Sequence, residues 1–260
     1  MLCFPERIDR GYTIVLPGVW GSAPLDHGIV KGLMDADVPS AIELYDWTIG
    51  PLWLVYNLRA LDRNRAEARK IAERIVAYQD RYPGRPVSLI GYSGGGGVAV
   101  LTLEALPPDR RITRAILLAP TLAQDYDLEP ALRHTEQGIH NFHSPIDVPC
   151  LVVLTMALGT TEGRHAPSAG AFGFQIPQGR DGSQGQEHAA RLVQHQYALD
   201  MIGYGHPGGH FGWTSRAFIT KWVAPILCPP PESEVPPGVS PQTDPAQMAV
   251  TADRLRQAVE

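Results

Sequence analysis

Cysteine is scarce in this sequence, and its three copies, Cys3, Cys150 and Cys228, are widely separated. An odd and sparse set argues against a disulfide framework, and the spacing matches no zinc-binding pattern. We therefore expect a chain without structural metal or disulfides. A reducing, cytoplasmic setting is the corresponding expectation for its location.

Long apolar segments and runs of basic residues are also missing. The longest apolar stretch, about Cys150–Leu158, is far shorter than the roughly 20 residues that cross a bilayer. The first ten residues contain neither an apolar signal core nor a cleavage-like site. The formal charge is −5, without a cluster of Lys or Arg. These absences predict no membrane span and argue against nucleic acid as a partner.

What is present is apolar material for one large core, since 44% of the 260 residues are hydrophobic. Apolar runs bounded by Gly and Pro predict strands, and these are Tyr12–Leu16, Ala41–Tyr45, Val87–Gly91, Arg114–Pro120, Gly138–Ser144 and Tyr197–Tyr204. Helical spacing predicts helices between them, and these are Asn64–Tyr82, Val98–Leu106, Asp127–His134 and Ser215–Val223. Asn64 with Glu67 resembles a capping pair. The alternation predicts an α/β fold, a mostly parallel sheet of about six strands flanked by helices.

The chain is predicted to divide near residue 228. Residues 1–228 carry the alternating pattern, with a loop-rich excursion over residues 162–188 that is expected to border the functional site. Residues 229–245 include seven prolines and predict an extended linker. Residues 246–260 place Met248, Ala252, Leu255 and Val259 on one face of a predicted C-terminal helix, which we expect to dock on the domain or on a partner.

One serine is embedded in glycine directly after a strand. Residues 91–95 read Gly-Tyr-Ser-Gly-Gly and match the pattern G-x-S-x-G. A serine on a very tight strand-to-helix turn has strained backbone angles, and glycine on either side avoids a collision there. A phosphate-binding loop would need a lysine after the glycines, and none is present. The pattern favours Ser93 as a nucleophile over a plain glycine loop.

At these residues the chain resembles the α/β-hydrolase superfamily, on its esterase and lipase side. The resemblance extends over about residues 12–223. It rests on the motif at 91–95, on Leu-Pro-Gly-Val-Trp at 16–20 and on Gly-Gly-His-Phe at 208–211. It implies a reduced form of the family's eight-stranded sheet, because only about eleven residues precede Tyr12. It also implies that nucleophile, acid and histidine follow one another in that order.

A serine hydroxyl needs a base within hydrogen-bond reach. The family places the base in the loop after the last strand, where His210 follows two glycines and His206 is the second candidate. The family places the acid after the next-to-last strand, which favours Asp147. If residues 150–156 form that strand instead, Glu162 takes this role, and members with an earlier acid would use Asp125 or Asp127.

The resemblance further implies an oxyanion hole and a substrate pocket. The first N–H donor is expected at Gly94, directly after the nucleophile, and the second at Val19 in the turn after the first strand. Trp20 and Tyr92 are expected to contact substrate. Pro207, Gly208 and Gly209 between His206 and His210 exclude a helical pair of metal ligands, and we predict no metal.

The resulting hypothesis is a serine hydrolase that cleaves carboxylic esters through Ser93, His210 and Asp147 and an acyl-enzyme, without a cofactor. Its expected partner is a small-molecule ester. A thioesterase, amidase or perhydrolase would use the same triad, since fold and triad do not determine the substrate. The alternative is a catalytically weak protein of the same fold that binds a small apolar ligand. The oligomeric state stays open.

Overall fold

A seven-stranded sheet runs through the computed structural model, which describes residues 2–147, 153–175 and 190–228. Its strands are β1 (Leu2–Cys3), β2 (Tyr12–Leu16), β3 (Ala41–Leu44), β4 (Val87–Tyr92), β5 (Arg114–Leu118), β6 (Ile139–His143) and β7 (Leu192–Gln196). Their order across the sheet is β1-β3-β2-β4-β5-β6-β7. The short β1 is antiparallel to β3, and the other six strands are parallel. The predicted fold class, a mostly parallel sheet of about six strands, is confirmed.

Helices cover both faces of the sheet. They are α1 (His27–Asp35), α2 (Leu54–Arg59), α3 (Leu61–Arg81), α4 (Gly94–Glu104), α5 (Glu129–Leu132), α6 (Val153–Leu158), α7 (Ala169–Phe172), α8 (Arg216–Phe218) and α9 (Ala224–Leu227). A π-helical turn, Ile219–Val223, joins α8 to α9. Short 3₁₀ helices span Pro5–Arg7, Pro51–Trp53, Leu199–Tyr204 and His210–Thr214. The helices α3 and α4 pack together on one face, and α1 packs against the α8–α9 segment on the other.

The alternation of side chains along β4 supplies both cores. Leu89 points to the α3 and α4 side, where it is buried with Ile71 and Ile75 of α3. Ile90 points to the opposite side, where it is buried with Ile29 of α1. Each fully buried side chain of this kind contributes roughly 1.5–3 kcal/mol relative to exposure. The central strand is therefore anchored on both faces, and its carboxyl end is a rigid place for a functional residue.

Two strand assignments from the sequence are wrong. The last strand is Leu192–Gln196, whereas the predicted segment Tyr197–Tyr204 contains the 3₁₀ helix Leu199–Tyr204. The other is the alternative strand over residues 150–156. Its described part begins helix α6, and residues 150–152 lie outside the described residues. The remaining predicted strands are confirmed within one or two residues at each end.

The predicted cap of the longest helix is also wrong. Helix α3 begins at Leu61, and Asn64 lies inside it, fully buried. The Asn64 amide donates to the C=O groups of Asn57 and Leu58 at 2.9 and 3.4 Å. Asn64 therefore donates to carbonyls at the end of α2. A capping pattern describes one helix only, so it does not predict this hydrogen bonding between two helices.

The described residues up to Cys228 form one compact unit. Within the predicted excursion, α7 begins after Ser168, whose Oγ accepts the N–H of Gly170. Residues 176–188, the predicted linker 229–245 and the predicted helix 246–260 lie outside the described residues. Of the helices described, none is both long and apolar enough to cross a bilayer.

Candidate active site

Ser93 occupies the turn between β4 and α4 with a strained backbone. Its φ and ψ are 53° and −120°, a region that residues with a side chain rarely adopt. Its N–H donates to the C=O of Leu118 at 2.9 Å, and its C=O accepts from Gly96 at 2.9 Å and Thr121 at 3.2 Å. Bonds on both sides of the residue hold this conformation, as expected where strain serves a function.

The flanking glycines are required by close backbone approach. A Cβ at Gly91 would lie 2.4 Å from the carbonyl oxygen of Gly95. A Cβ at Gly95 would lie 2.4 Å from the carbonyl oxygen of Pro17 and 2.5 Å from that of Leu16. Both distances are far below van der Waals contact. Helix α4 consequently begins directly after Ser93, four residues before the predicted Val98, because packing overrides the low helix propensity of glycine.

The side chains of Ser93, His210 and Asp147 form an unbroken chain of hydrogen bonds. His210 Nε2 lies 2.9 Å from Ser93 Oγ, and His210 Nδ1 lies 2.7 Å from Asp147 Oδ2. A carboxylate accepts only, so the Nδ1–H donates to Asp147 and Nε2 is left to accept the serine hydroxyl. The arrangement matches a nucleophile, a base and an orienting acid.

The residues that hold this chain come from two loops joined to each other. Asp147 lies in the turn after β6, where its N–H donates to the C=O of Ser144 at 3.0 Å. The Ser144 hydroxyl donates to the C=O of Gly208 at 2.7 Å. Gly208 precedes His210, which begins the 3₁₀ helix His210–Thr214. The two loops are therefore joined close to both Asp147 and His210.

Burial dominates the electrostatics of the acid. Asp147 is 1% exposed, and this burial raises the pKa of its carboxyl, while the hydrogen bond from His210 lowers it. The hydrogen bond to this buried carboxyl fixes the imidazole of His210 through its Nδ1 atom.

The other acid candidates are engaged elsewhere. Glu162 accepts the N–H of Ala123 at 2.8 Å. Asp125 forms an exposed ion pair with Arg164 at 2.7 Å. Asp127 accepts a backbone N–H at the start of α5. In the described part of the chain, none of these three carboxylates is bonded to the imidazole of His210.

His206, the second candidate for the base, belongs to the core. It is fully buried, and its ring centroid lies 3.9 Å from that of Trp213. Its Nδ1 accepts the N–H of Gly208 at 3.0 Å. Burial lowers the pKa of His206 to about 4. This histidine therefore supports the loop that carries His210 rather than contacting Ser93.

The two predicted oxyanion donors lie on neighbouring segments beside Ser93. A Cβ at Gly94 would lie 2.3 Å from Val19 Cγ1, and a Cβ at Gly18 would lie 3.6 Å from the Cβ of Ser93. Among the described residues, the N–H groups of Val19 and Gly94 form no hydrogen bond. They remain available to donate to an oxygen placed beside Ser93.

A cavity of about 510 Å³ opens beside Ser93 and His210. Its wall is mainly apolar and consists of Gly18, Val19, Trp20, Ala23, Leu25, Asp26, Leu54, Tyr92, Ala157, Leu158 and Phe211. Trp20, 56% exposed, lies at the mouth. Tyr92 is buried, with its hydroxyl donating to the C=O of His210 at 3.2 Å and its ring 5.1 Å from the imidazole.

Several lining residues were not identified from the sequence. Phe211 adjoins His210 and was detectable from that position, whereas Leu25, Asp26, Leu54 and Leu158 come from distant segments without a motif. Two further tryptophans from loops after early strands do not line the cavity: Trp47 is fully buried, and Trp53 lies outside the cavity wall. In the described ranges no three His, Cys, Asp or Glu side chains are grouped closely enough to hold a metal ion.

The sheet order, the strained serine between β4 and α4, and the chain order of serine, aspartate and histidine define the α/β-hydrolase fold. No protein-family model and no curated protein matches the chain. Solved structures that are similar to it over most of its length include two hydrolases. A dienelactone hydrolase-like promiscuous phosphotriesterase, P91, from metagenomic libraries is 14% identical, with a TM-score of 0.46, and the match covers 84% of this chain and 85% of that one. Carboxyl esterase 2 from the mycorrhizal fungus Tuber melanosporum is 12% identical, with a TM-score of 0.41 and coverage of 83% and 73%.

Proposed function

We propose that the protein is a serine hydrolase that cleaves carboxylic esters through an acyl-enzyme. The observation that carries the proposal is the hydrogen-bonded chain from Ser93 through His210 to Asp147, placed at a strained turn beside an apolar cavity. A protein that only binds a ligand has no need for a serine held in this conformation.

The reaction follows from the positions of the donors and acceptors. Ser93 Oγ attacks the ester carbonyl carbon while His210 Nε2 takes the hydroxyl proton. The resulting oxyanion accepts from the N–H groups of Val19 and Gly94, which stabilises it by about 3–4 kcal/mol per donor. The tetrahedral intermediate then collapses, and the alcohol leaves with the proton from His210. A water molecule, deprotonated by the same histidine, attacks the acyl-enzyme and releases the acid.

The cavity supports a neutral, apolar substrate. Its wall contains tryptophan, leucine and phenylalanine side chains, and its titratable side chains are those of Asp26, Tyr92 and His210. No Lys or Arg of the described residues lines it. An ester with a carboxylate in its acyl group would therefore lack a cationic partner and would approach the Asp26 side chain. We propose apolar acyl esters as the substrate class.

Labelling with a fluorophosphonate probe tests the proposal. We expect the wild-type protein to be labelled at Ser93, located by mass spectrometry, and the Ser93→Ala variant to be unlabelled. Ser22→Ala removes an exposed hydroxyl outside the cavity wall and is the matched control, with labelling unchanged. A folded wild-type protein that is not labelled would contradict the proposal and favour an apolar-ligand binding protein.

A further inference from the structure

The peptide unit between Pro17 and Gly18 is bonded by buried side chains on both sides. The indole Nε1–H of Trp47 donates to the C=O of Pro17 at 2.8 Å. The N–H of Gly18, in the same peptide unit, donates to Asp26 Oδ1 at 3.1 Å. Trp47 is fully buried and Asp26 is 3% exposed. The two partners come from different segments, the loop after β3 and the residue preceding α1.

A third buried side chain binds the next carbonyl. Asn57 of α2 donates to the C=O of Val19 at 2.9 Å and to the C=O of Gly50 at 3.0 Å. Its Oδ1 accepts the N–H of Ile49 at 3.2 Å. Asn57 is fully buried, and its amide makes all three of these bonds to backbone groups. A buried amide is costly unless its polar atoms are hydrogen-bonded, and here every bond goes to the backbone of a loop beside the site.

These bonds enclose the peptide unit that carries the Val19 N–H. The preceding unit, Pro17–Gly18, is held at its C=O by Trp47 and at its N–H by Asp26. The following unit is held at the C=O of Val19 by Asn57. Gly18 by itself would give the segment wide rotational freedom. An N–H that stabilises an oxyanion is effective only when it already points to the place where charge develops. The unit itself accepts the N–H of Gly21 at the C=O of Gly18, at 3.0 Å. Together with this backbone bond, the three side-chain bonds remove the freedom that glycine would otherwise allow.

We propose that Trp47, Asp26 and Asn57 are positioning residues that hold the Val19 N–H toward the reaction centre. This inference rests on the proposed function, since it assigns these side chains to the stabilisation of an oxyanion formed at Ser93. They touch neither the nucleophile nor the imidazole by hydrogen bond, and they act through the backbone of residues 17–19.

Asp26 permits a sharp test because its role is that of an acceptor. Burial raises the pKa of Asp26 to about 6, against the opposing effect of hydrogen bonds from the N–H groups of Gly18 and Ala23. The carboxyl of Asp46 acts in the same direction as burial, and His210 lines the same cavity. An asparagine at this position keeps an oxygen for the Gly18 N–H and removes the charge, whereas an alanine removes both.

The experiment measures kcat and KM for a neutral p-nitrophenyl ester in wild type, Trp47→Phe, Asp26→Ala, Asp26→Asn and Asn57→Ala, with thermal unfolding of each. We expect Trp47→Phe, Asp26→Ala and Asn57→Ala to lose about tenfold or more in kcat, with KM within about twofold. Asp26→Asn is expected to recover most of the loss. Trp53→Phe, an exposed tryptophan outside the cavity wall, is the matched control with unchanged kcat.

The outcomes separate this inference from the proposed function. Hydrolysis that depends on Ser93 in the wild type, together with unchanged kcat in folded Trp47→Phe and Asp26→Ala, overturns the positioning roles alone. Equal losses in Asp26→Ala and Asp26→Asn overturn the acceptor role of Asp26. A wild-type protein whose hydrolysis survives Ser93→Ala overturns both proposals. Trp47→Phe removes the N–H donor but keeps an aromatic ring at this buried position. The test therefore does not depend on a variant that leaves a large cavity in the core.

Discussion

Asp147 and His210 are 63 residues apart in the chain, and the hydrogen bond between them is accompanied by a second one between their loops. In this second bond Ser144, three residues before Asp147, donates to the C=O of Gly208, two residues before His210. Nothing local marks Ser144, which occupies an ordinary turn after β6. The sequence therefore left Asp147, Glu162, Asp125 and Asp127 as candidates, and the loop contact decides which carboxylate adjoins the imidazole.

We predict that Asp147→Asn lowers kcat by about 10³- to 10⁴-fold, because an asparagine amide would stabilise the wrong tautomer of His210. Steady-state hydrolysis of a neutral ester is the measurement. Asp125→Asn is the matched control. Asp125 does not contact His210, and its exposed ion pair with Arg164 contributes at most about 1 kcal/mol to stability. Comparable activity of Asp147→Asn and wild type would remove Asp147 from the mechanism.

The histidine beside Ser93 was easier to predict from the sequence than the acid. The glycines before His210 and the aromatic after it favoured this position over His206, and the structure brings His210 to Ser93 while it buries His206 beside Trp213. The reason is that the loop reverses at Gly208, where φ is 100°. Residues on either side of this turn consequently face different surroundings.

At the scale of elements, the first turn of α4 has a low helix propensity. Four glycines open it, and each costs about 1 kcal/mol relative to alanine in a helix. The close approach of Gly95 to the carbonyls of Leu16 and Pro17 explains one of them, and a Cβ at each of the other three would lie 2.3–2.8 Å from a neighbouring side chain. Tight packing of α4 against β2 therefore sets where the helix begins and how Ser93 is presented.

We predict that Gly95→Ala is destabilised by about 1–3 kcal/mol and loses much of its activity, because the added Cβ would displace the backbone of residues 16–17. Gly203→Ala is the matched control, since its Cβ would meet no atom within 4 Å. Thermal unfolding and kcat of both variants are the measurements. Similar stability of the two variants would argue against a tight contact at Gly95.

The last strand shows where local patterns fail. Residues 197–204 contain two tyrosines and an isoleucine, which favour a strand, but they include a 3₁₀ helix. The true strand β7 reads Leu-Val-Gln-His-Gln and is largely exposed or half-buried. It lies at the edge of the sheet and pairs with β6. An edge strand buries little surface, so its composition gives a weak signal.

For the molecule as a whole, buried histidines link folding to pH. Burial lowers the pKa of His140 and His206 to about 4, and lowers that of His143 and His195 as well. Burial acts in the opposite direction on the carboxyls of Asp26 and Asp147 by raising their pKa. The net dependence of stability on pH combines these effects, and single variants separate them.

A histidine whose folded pKa lies below 6.5 contributes stability above pH 6.5, and this contribution is lost as the pH falls toward 4. His206→Asn keeps an acceptor for the Gly208 N–H and removes the titration. On going from about pH 7 to pH 5, we expect the wild type to lose about 2 kcal/mol of unfolding free energy that the variant does not lose. The stability advantage of the wild type over the variant therefore becomes smaller by that amount. Denaturant unfolding at both pH values measures it, and a constant difference would contradict the lowered pKa.

The sequence by itself determined the features that depend on neighbouring residues. These are the alternation that makes a parallel α/β sheet, the turn at residues 91–95 that presents Ser93, and the glycine-rich loop of His210. Only the tertiary structure decided which acid adjoins His210, which side chains line the cavity and how Trp47, Asp26 and Asn57 hold residues 17–19. The physical reason is that these are contacts between segments distant in the chain, and they arise from the packing of loops at the carboxyl edge of the sheet, which no local pattern encodes.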